Sequence, residues 1–249
     1  MLLTKWLREQ LEHILCWRGY ELKEIGSPLR GFPQCLAYAK SRGLAPRTVF
    51  DVGVGHGTPW LYDAFPEAKL VLFEPLPVFD AELEALAHRH GADLARVALL
   101  NRLGKAELNF NVKFPTSSSL NDIDPGFNRF AVEAWGQSHS ERLTVHLETL
   151  DRINHYEPPY VLKLDVEGAE RQVLEGARET LRRIDFLIAE MSVMRRFRGE
   201  PTFAAMIEFL DECGFQLFDI PNIAQTKCSG QLVYFDAAFV PKGSALWPT

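Results

Sequence analysis

Hydrophobic and polar positions follow two alternating periods from Arg47 onward. Short apolar runs of strand length are separated by segments in which apolar residues recur at helical spacing, an order typical of βα units. The predicted strands are Thr48–Val52, Lys69–Phe73, Arg96–Leu99, Val161–Asp165, Asp185–Glu190, Phe215–Ile220 and Leu232–Val240. The predicted helices are Pro59–Phe65, Phe79–His90, Ala169–Arg182 and Pro201–Cys213. This pattern predicts an α/β fold with a mostly parallel, doubly wound sheet and helices on both faces; the last two strands, joined without a helix signal, are expected to pair antiparallel.

The first 45 residues carry two helix signals, and Gly26, Pro28, Gly31 and Pro33 mark a loop between them. Apolar residues recur at helical spacing over 2–17, which predicts an amphipathic helix, and Gln34–Arg42 predicts a shorter second helix. We therefore expect an N-terminal helical extension over 1–45 and one larger domain over 46–249. The first helix is expected to pack on that domain, because its polar face carries both signs of charge. A dimer contact stays open, so the protein is expected to be a monomer or a homodimer.

The pattern changes between Gly104 and Leu150. Two segments, Ala106–Val112 and Arg142–Leu147, alternate like strands, and a polar loop, 113–141, joins them. Loops of this length inside compact domains are usually functional or disordered. The loop is thus expected either to border a substrate pocket or to be a surface insertion.

The glycine-rich stretch TVFDVGVGHG, Thr48–Gly57, predicts a buried strand that ends in a tight turn. Because glycine has no Cβ, the turn at Gly53, Gly55 and Gly57 lets backbone N–H groups approach a ligand. Asp51 lies at the end of the strand, and Glu74 ends the next one, 23 residues later. A carboxylate at about this distance is what ribose binding in a Rossmann-like fold requires.

The glycine spacing also bears on which cofactor binds. A dinucleotide fingerprint requires G-x-G-x-x-G, whereas this turn is G-x-G-x-G with Thr58 at the third glycine position. A pyrophosphate is therefore a weaker match than a ligand without phosphate, such as S-adenosylmethionine (SAM). No tyrosine is followed by lysine four residues later, as a hydride-transferring Tyr-x-x-x-Lys would require. An NAD(P)-dependent oxidoreductase and a non-catalytic Rossmann-like binding protein remain the alternatives.

A second unusual stretch is YVLKLDVEGAE, Tyr160–Glu170. Asp165 ends a predicted central strand, Glu167 follows in the turn, and Glu190 ends the next strand, so all three are expected in one crevice. Such a cluster suits either Mg²⁺ binding or general-base chemistry, and the sequence leaves both open. Glu167 and Glu170 also suit a helix start, where negative charge is favourable. The Cys and His residues lack zinc-site spacing.

Composition sets wider limits. The 249 residues are 47% hydrophobic with a net charge of −6, as in an ordinary globular domain with no overall attraction to nucleic acid. The cluster Arg195, Arg196 and Arg198 is the one basic patch. It leaves a nucleic-acid acceptor open, but we expect no nucleic acid and interpret the cluster as a solvated loop, which could contact an anionic part of a small substrate. The N-terminus lacks a signal-peptide pattern, and no apolar run is long enough to span a membrane. The scattered cysteines are expected to be reduced, in a cytoplasmic protein.

Several segments in order resemble the FkbM-type SAM-dependent methyltransferases. The block LKLDVEGAERQVLEGA is the most specific of them. The segments are VFDVGVGHG (49–57), LFEPLP (72–77), SSSL (117–120), ETLD (148–151), LKLDVEGAERQVLEGA (162–177), GFQLFDI (214–220) and FDAAFV (235–240). The resemblance implies a Rossmann-like class I methyltransferase with a mostly parallel seven-stranded sheet.

The resemblance also implies roles for single residues. By position, Asp51, Gly53, Gly55 and Glu74 match SAM-binding residues, and Gly57 a turn residue. Asp165, Glu167 and Glu170 match the family's D-x-E-G-x-E block. The chain departs from the family at Val54-Gly55, where Ala-Asn is frequent.

The implied reaction is O-methylation of a hydroxyl on a small molecule such as a sugar or a polyketide-type metabolite. The candidate catalytic residues are Asp165, Glu167 and Glu190, acting as a base or through a bound cation. His139 or His146 is an alternative base, because both lie in or beside the presumed acceptor region.

Overall fold

The computed structural model describes residues 31–128, 131, 139–226 and 229–247; the predicted helix over 2–17 lies outside these residues. The strands are β1 Thr48–Val52, β2 Lys69–Phe73, β3 Asp93–Ala95, β4 Ala98–Leu99, β5 Gly104–Asn111, β6 Ser140–Glu148, β7 Tyr160–Leu164, β8 Ile184–Ser192, β9 Phe215–Gln225 and β10 Leu232–Pro241. The helices are α1 Phe32–Ser41, α2 Pro59–Ala64, α3 Asp80–His90, α4 Leu150–Ile153, α5 Glu170–Glu175, α6 Arg178–Leu181 and α7 Phe203–Glu212.

The main sheet has seven strands in the order β3-β2-β1-β7-β8-β10-β9. The first five strands of that order pair in parallel, while β10 lies antiparallel to both β8 and β9. The predicted α/β class with a mostly parallel seven-stranded sheet is confirmed, as is antiparallel pairing of the last two strands. From β1 the chain continues to β2 and β3 on one side and later returns to the other side of β1 as β7, so the strand order reverses between β1 and β7. A ligand crevice is therefore expected at the carboxyl ends of these two strands.

The predicted strand Arg96–Leu99 is wrong, because the chain changes sheets within it. The segment Asp93–Ala95 joins the main sheet beside β2, whereas Ala98–Leu99 pairs with β6 in a second, three-stranded sheet. Between them, Arg96 points outward and pairs with Asp80 and Glu84. The chain therefore passes from one sheet to the other at Arg96 and Val97, and periodicity alone does not report such a change.

The single helix predicted over Ala169–Arg182 is two short helices, α5 and α6. Gly176 ends α5, and a Cβ on it would lie 2.0 Å from the carbonyl oxygen of Leu100. Asp151 starts α6, since its carboxylate oxygens accept hydrogen bonds from the backbone N–H groups of Glu179 (3.0 Å) and Thr180 (2.8 Å). Contact with a distant segment therefore breaks the helix.

Apolar side chains cover both faces of the main sheet. Along β1, Val49 packs in one cluster with Leu36 and Leu83, while Phe50 packs in the other with Val173. This alternation follows from the two-residue period of a strand and leaves helices on both sheet faces, as predicted. Within the described part of the chain, each helix is too short or too polar to span a membrane.

Helix α1 falls within the predicted N-terminal extension and contacts elements of the domain. Phe32 stacks on Trp60 at 4.0 Å between ring centroids, and Tyr38 stacks on Phe218 at 5.8 Å. The boundary at residue 45 itself stays a prediction.

Candidate functional site

A cavity of about 480 Å³ opens at the carboxyl ends of β1, β2, β7 and β8. This is the expected crevice, and its volume falls within the range of small-molecule sites. Both unusual stretches of the sequence line it. The lining includes Gly53, Gly55, Gly57, Glu74, Leu76, Phe79, Leu99, Thr116, Ser118, Lys163, Asp165, Glu167, Glu190, Asn222, Tyr234 and Asp236.

The glycine turn lies against the end of β7. Gly53 has φ +76°, and a Cβ on it would lie 1.8 Å from the carbonyl oxygen of Asp165. Gly57 has φ +97°, and a Cβ there would lie 2.6 Å from Leu86 Cδ1. Position 53 therefore requires glycine for two reasons: the backbone conformation, and the close approach that brings the turn to the acidic stretch.

Glu74 is buried beside the turn, with 5% of its surface exposed. Its Oε2 accepts a hydrogen bond from the Gly55 N–H and its Oε1 one from the Leu76 N–H, both at 3.0 Å. Burial raises the pKa of Glu74, and the two N–H donors oppose that rise. Each oxygen keeps further acceptor capacity, so the carboxylate is oriented and still able to bind hydroxyl groups.

Asp51 lies behind the turn rather than on the cavity wall, and it is fully buried. Its Oδ2 accepts hydrogen bonds from the Tyr62 hydroxyl at 2.5 Å and the Thr58 hydroxyl at 2.7 Å. Its Oδ1 is 3.2 Å from Lys163 Nζ. The structure thus places Asp51 where it supports the turn, and its assignment to cofactor binding stays a prediction.

Lys163 connects the glycine turn to the acidic stretch. Its Nζ donates to the Gly53 carbonyl at 3.0 Å and lies 3.5 Å from Asp165 Oδ2, in addition to its pairing with Asp51. Burial by itself lowers the pKa of this ammonium, but the charges of Asp51 and Asp165 outweigh burial and raise it. A charged side chain in a buried strand is costly without partners, and Lys163 has two carboxylates and a backbone carbonyl as partners.

The structure brings together Asp165, Glu167 and Glu190, the three predicted catalytic residues, on the cavity wall. The side chain of Asp165 is 42% exposed, whereas those of Glu167 and Glu190 are 14% and 6% exposed. Asp165 is therefore the most accessible of these carboxylates to a bound molecule.

Arg196 pairs with the two buried carboxylates. Its Nη1 donates to Glu167 Oε2 at 2.8 Å and its Nη2 donates to Glu190 Oε1. Burial raises the pKa of Glu167 to about 8 and that of Glu190 well above its usual range, and the guanidinium opposes both shifts. The prediction of a solvated arginine cluster is wrong at this position, since Arg196 is buried while Arg195 and Arg198 are exposed.

Glu170 has a structural position at the first residue of α5. Its Oε1 accepts hydrogen bonds from the N–H groups of Val166 (3.1 Å) and Gly168 (3.2 Å), so it closes the turn that carries Glu167. Burial raises its pKa to about 7, and these hydrogen bonds oppose the rise.

The antiparallel strands supply cavity residues that sequence reasoning missed. Asp236 accepts a hydrogen bond from Asn222 Nδ2 at 2.8 Å, and burial raises its pKa to about 6. Tyr234 lines the same wall, and burial raises the pKa of its phenol to about 12. An aspartate within the apolar run FDAAFV was the available signal for this wall.

The long polar loop borders the cavity through its described start. Thr116 and Ser118 line the wall, and Ser119 Oγ donates to the Glu167 carbonyl at 2.6 Å. The alternative bases lie elsewhere, because His139 and His146 are exposed beside and on β6, away from the cavity lining.

The sequence left open whether a cation binds the acidic cluster, and the structure places an arginine against two of its carboxylates. Across 31–128, 131, 139–226 and 229–247, the structure contains no group of three His, Cys, Asp or Glu residues arranged to hold a metal ion. The Arg196 guanidinium contacts both Glu167 and Glu190, two of the carboxylates considered for Mg²⁺.

Comparison with known proteins places the chain in a family. Residues 51–217 match the methyltransferase FkbM domain. No curated protein sequence matches the chain significantly. Among solved structures, the chain is similar to magnesium protoporphyrin IX methyltransferase from Synechocystis with bound SAM, at TM-score 0.45 and 11% identity over 84% of this chain and 77% of that one.

A second similar structure is 1,6-didemethyltoxoflavin-N1-methyltransferase from Burkholderia thailandensis, with bound 1,6-didemethyltoxoflavin and S-adenosylhomocysteine. It aligns at TM-score 0.43 and 12% identity over 84% of this chain and 77% of that one. The domain match extends over more than half of the 249 residues. The chain therefore belongs to the FkbM family of SAM-dependent methyltransferases.

Proposed function

We propose that the protein transfers a methyl group from SAM to a hydroxyl of a small molecule such as a sugar or a polyketide-type metabolite. One observation carries the proposal: a single cavity joins the glycine turn and Glu74 to the accessible carboxylate of Asp165. The cofactor half is the wall formed by Gly53, Gly55 and Glu74. The acceptor half is the wall formed by Asp165, Glu167, Glu190, Asn222, Tyr234 and Asp236.

The residues of the cofactor half fit SAM. The left-handed turn at Gly53 and Gly55 leaves backbone exposed to the cavity, and the oriented Glu74 carboxylate has free acceptor capacity for ribose hydroxyls. Apolar side chains of Leu76, Phe79 and Leu99 line the adjacent wall, which suits the flat adenine ring of SAM. When bound, SAM would supply a methyl group attached to its sulfonium sulfur, and S-adenosylhomocysteine would be the leaving group.

The acceptor half supplies base chemistry in the proposal. A hydroxyl is a weak nucleophile, so a carboxylate that takes its proton speeds the transfer. Asp165 is proposed for this role because it is the most exposed of the carboxylates and lies beside the cofactor half. Glu167 and Glu190 orient the acceptor. A hydrogen bond from the acceptor hydroxyl to Asp165 would also position its oxygen for attack on the methyl group.

Calorimetric titration with SAM, S-adenosylhomocysteine (SAH) and NAD(H), with and without Mg²⁺, tests the cofactor assignment. We expect SAM and SAH to bind and NAD(H) not to bind. Methyl transfer from labelled SAM to a panel of sugars, polyketides and amines then tests the acceptor class. Binding of NAD(H) without SAM would overturn the proposal, and transfer to amines alone would overturn O-methylation.

The role of Asp165 is tested by Asp165→Asn. Loss of the base should lower turnover about 10²–10⁴-fold while SAH affinity stays within about twofold, because Glu74 and the turn are untouched. Asp63→Asn, an exposed position on α2, is the matched control and should keep full activity. Full turnover in Asp165→Asn would remove Asp165 from the mechanism.

A further inference from the structure

Arg196 is a buried cation in an otherwise exposed basic stretch. Only 6% of its surface is exposed, whereas Arg195 and Arg198 on either side are exposed. A buried charge is costly unless it is paired and hydrogen-bonded. The burial of Arg196 therefore depends on its partners. These are Glu167 and Glu190 of the acceptor half and the Ser192 hydroxyl, to which Nε donates at 3.3 Å.

Its guanidinium connects two carboxylates from different elements. Glu167 lies in the turn after β7 and Glu190 lies on β8, and separate nitrogens of the same planar group donate to them. The guanidinium carbon lies 4.7 Å from the ring centre of Tyr234, which is also on the cavity wall. A planar fork of donors fixes the direction of both carboxyl groups, which a lysine ammonium does not do.

The backbone at Glu167 shows that this arrangement is held in place. Glu167 has φ +52°, a conformation that residues with a Cβ adopt only when their surroundings stabilise it. The Ser119 hydroxyl holds its carbonyl and Arg196 holds its carboxylate. The Arg196 carbonyl in turn accepts a hydrogen bond from the Asp124 N–H at 2.9 Å, so the start of the long polar loop contacts Glu167 through Ser119 and Arg196 through Asp124.

We propose that Arg196 is a positioning residue of the acceptor half, whose guanidinium holds the Glu167 and Glu190 carboxylates side by side on the cavity wall. An opposite charge in contact with a carboxyl group also favours its charged form. The name "acceptor half" rests on the proposed function; the coupling of the three groups does not. Titration of the pair also feels the other charged and titratable groups around it. These are Asp165, Glu170, Glu200 and Tyr234.

The proposal is tested by following the Glu167 and Glu190 carboxyl carbons by NMR as the pH is varied, with Glu→Gln variants giving the assignments. Arg196→Gln should move both midpoints upward by about 1–3 pH units, because an opposite charge in contact is removed. Arg196→Lys keeps the charge, so its midpoints should lie between those of the wild-type protein and those of Arg196→Gln. Arg195→Gln and Arg198→Gln are the matched controls and should leave both midpoints unchanged.

A second measurement does not depend on whether Arg196→Gln folds. In the wild-type protein, the Arg196 guanidinium protons, assigned with Arg196→Lys, should shift with the same midpoint as the Glu167 carboxyl carbon. Midpoints that are independent of each other, or unchanged in a folded Arg196→Gln variant, would overturn the proposal. Titration of the same wild-type sample with SAH separates the two hypotheses, since absent SAH binding counts against the proposed function and leaves the NMR result intact.

Discussion

Gly53 is the residue at which the two halves of the cavity touch. Its φ of +76° is one demand on this position, and the 1.8 Å that would separate a Cβ from the Asp165 carbonyl oxygen is another. A side chain here would push the turn away from the end of β7. The chemistry of the site thus depends on the absence of a side chain as well as on the carboxylates.

Gly53→Ala should destabilise the protein and weaken SAH binding. Gly43→Ala is a matched control, because Gly43 also has a positive φ, +107°, and a Cβ on it would have no atom within 4 Å. Both variants incur the conformational cost, and only Gly53→Ala adds the steric one, about 1–3 kcal/mol of unfolding free energy. Urea unfolding and SAH calorimetry measure the difference. Equal losses in the two variants would contradict the argument.

Glu167 should make the protein less stable as the pH rises. Its pKa is raised by burial from 4.5 to about 8, so between these values the folded protein holds a proton that the unfolded chain releases. The free energy of unfolding contributed by this group therefore falls from pH 4.5 to pH 8. Glu167→Gln should reduce that slope in urea unfolding, and the other carboxyl groups whose pKa burial raises, among them Glu170, Glu190 and Asp236, supply further slope of the same sign.

The control for this effect is Glu179→Gln, whose carboxylate is 68% exposed in a pair with Arg182. It should keep the wild-type slope. A wild-type slope in Glu167→Gln as well would mean that Glu167 ionises in the folded protein much as it does in the unfolded chain.

Residues predicted from the sequence differ from those it missed in how local their signals are. Glu74 and Asp165 each end an apolar strand, so strand ends in a parallel sheet predict their place on the cavity wall. Arg196 lies 29 residues from its partner Glu167, and Asp236 comes from an antiparallel strand. Their positions follow from tertiary contacts that a pattern along the chain does not contain.

Secondary-structure elements were also predicted where the signal is local and mispredicted where contacts with distant segments decide. Periodicity predicted the strands β1, β2 and β7 because each is buried on both faces. It failed at Arg96, where the chain passes from one sheet to the other, and at Gly176, where the helix end lies against a neighbouring backbone. Glycine at Gly176 has an ordinary φ of −85°, so the local backbone does not require it.

Gly176→Ala should therefore destabilise the protein for steric reasons alone. A Cβ would lie 2.0 Å from the Leu100 carbonyl oxygen, and the shift needed to relieve that contact should cost about 1–3 kcal/mol. Gly126→Ala is the control, since Gly126 lies outside the left-handed region and a Cβ on it would meet only the Asp124 side chain, at 3.1 Å. Urea unfolding should show little change in that variant; an equally stable Gly176→Ala would show that α5 moves freely away from Leu100.

At the scale of the whole molecule, the sheet order brings segments distant in sequence to one edge. The pairing of β1 with β7 places Asp51 opposite Lys163, although they are far apart in the chain. Lys163 then reaches the glycine turn on one side and Asp165 on the other. One buried ammonium therefore links the strand pair at the switch point to both halves of the cavity.

Removing that ammonium should affect folding and binding together. Lys163→Met leaves the fully buried Asp51 carboxylate without its cation, and breaking a buried pair in this way costs about 3–5 kcal/mol. It also releases the Gly53 carbonyl, so SAH affinity should fall, unlike in Asp165→Asn. Lys69→Met, on the adjacent strand β2, breaks a pair with Asp93 that is 38% and 48% exposed and should cost about 0–1 kcal/mol with SAH affinity retained. If Lys163→Met kept wild-type SAH affinity, the two halves would be held together by the sheet alone, and Lys163 would serve only to neutralise Asp51.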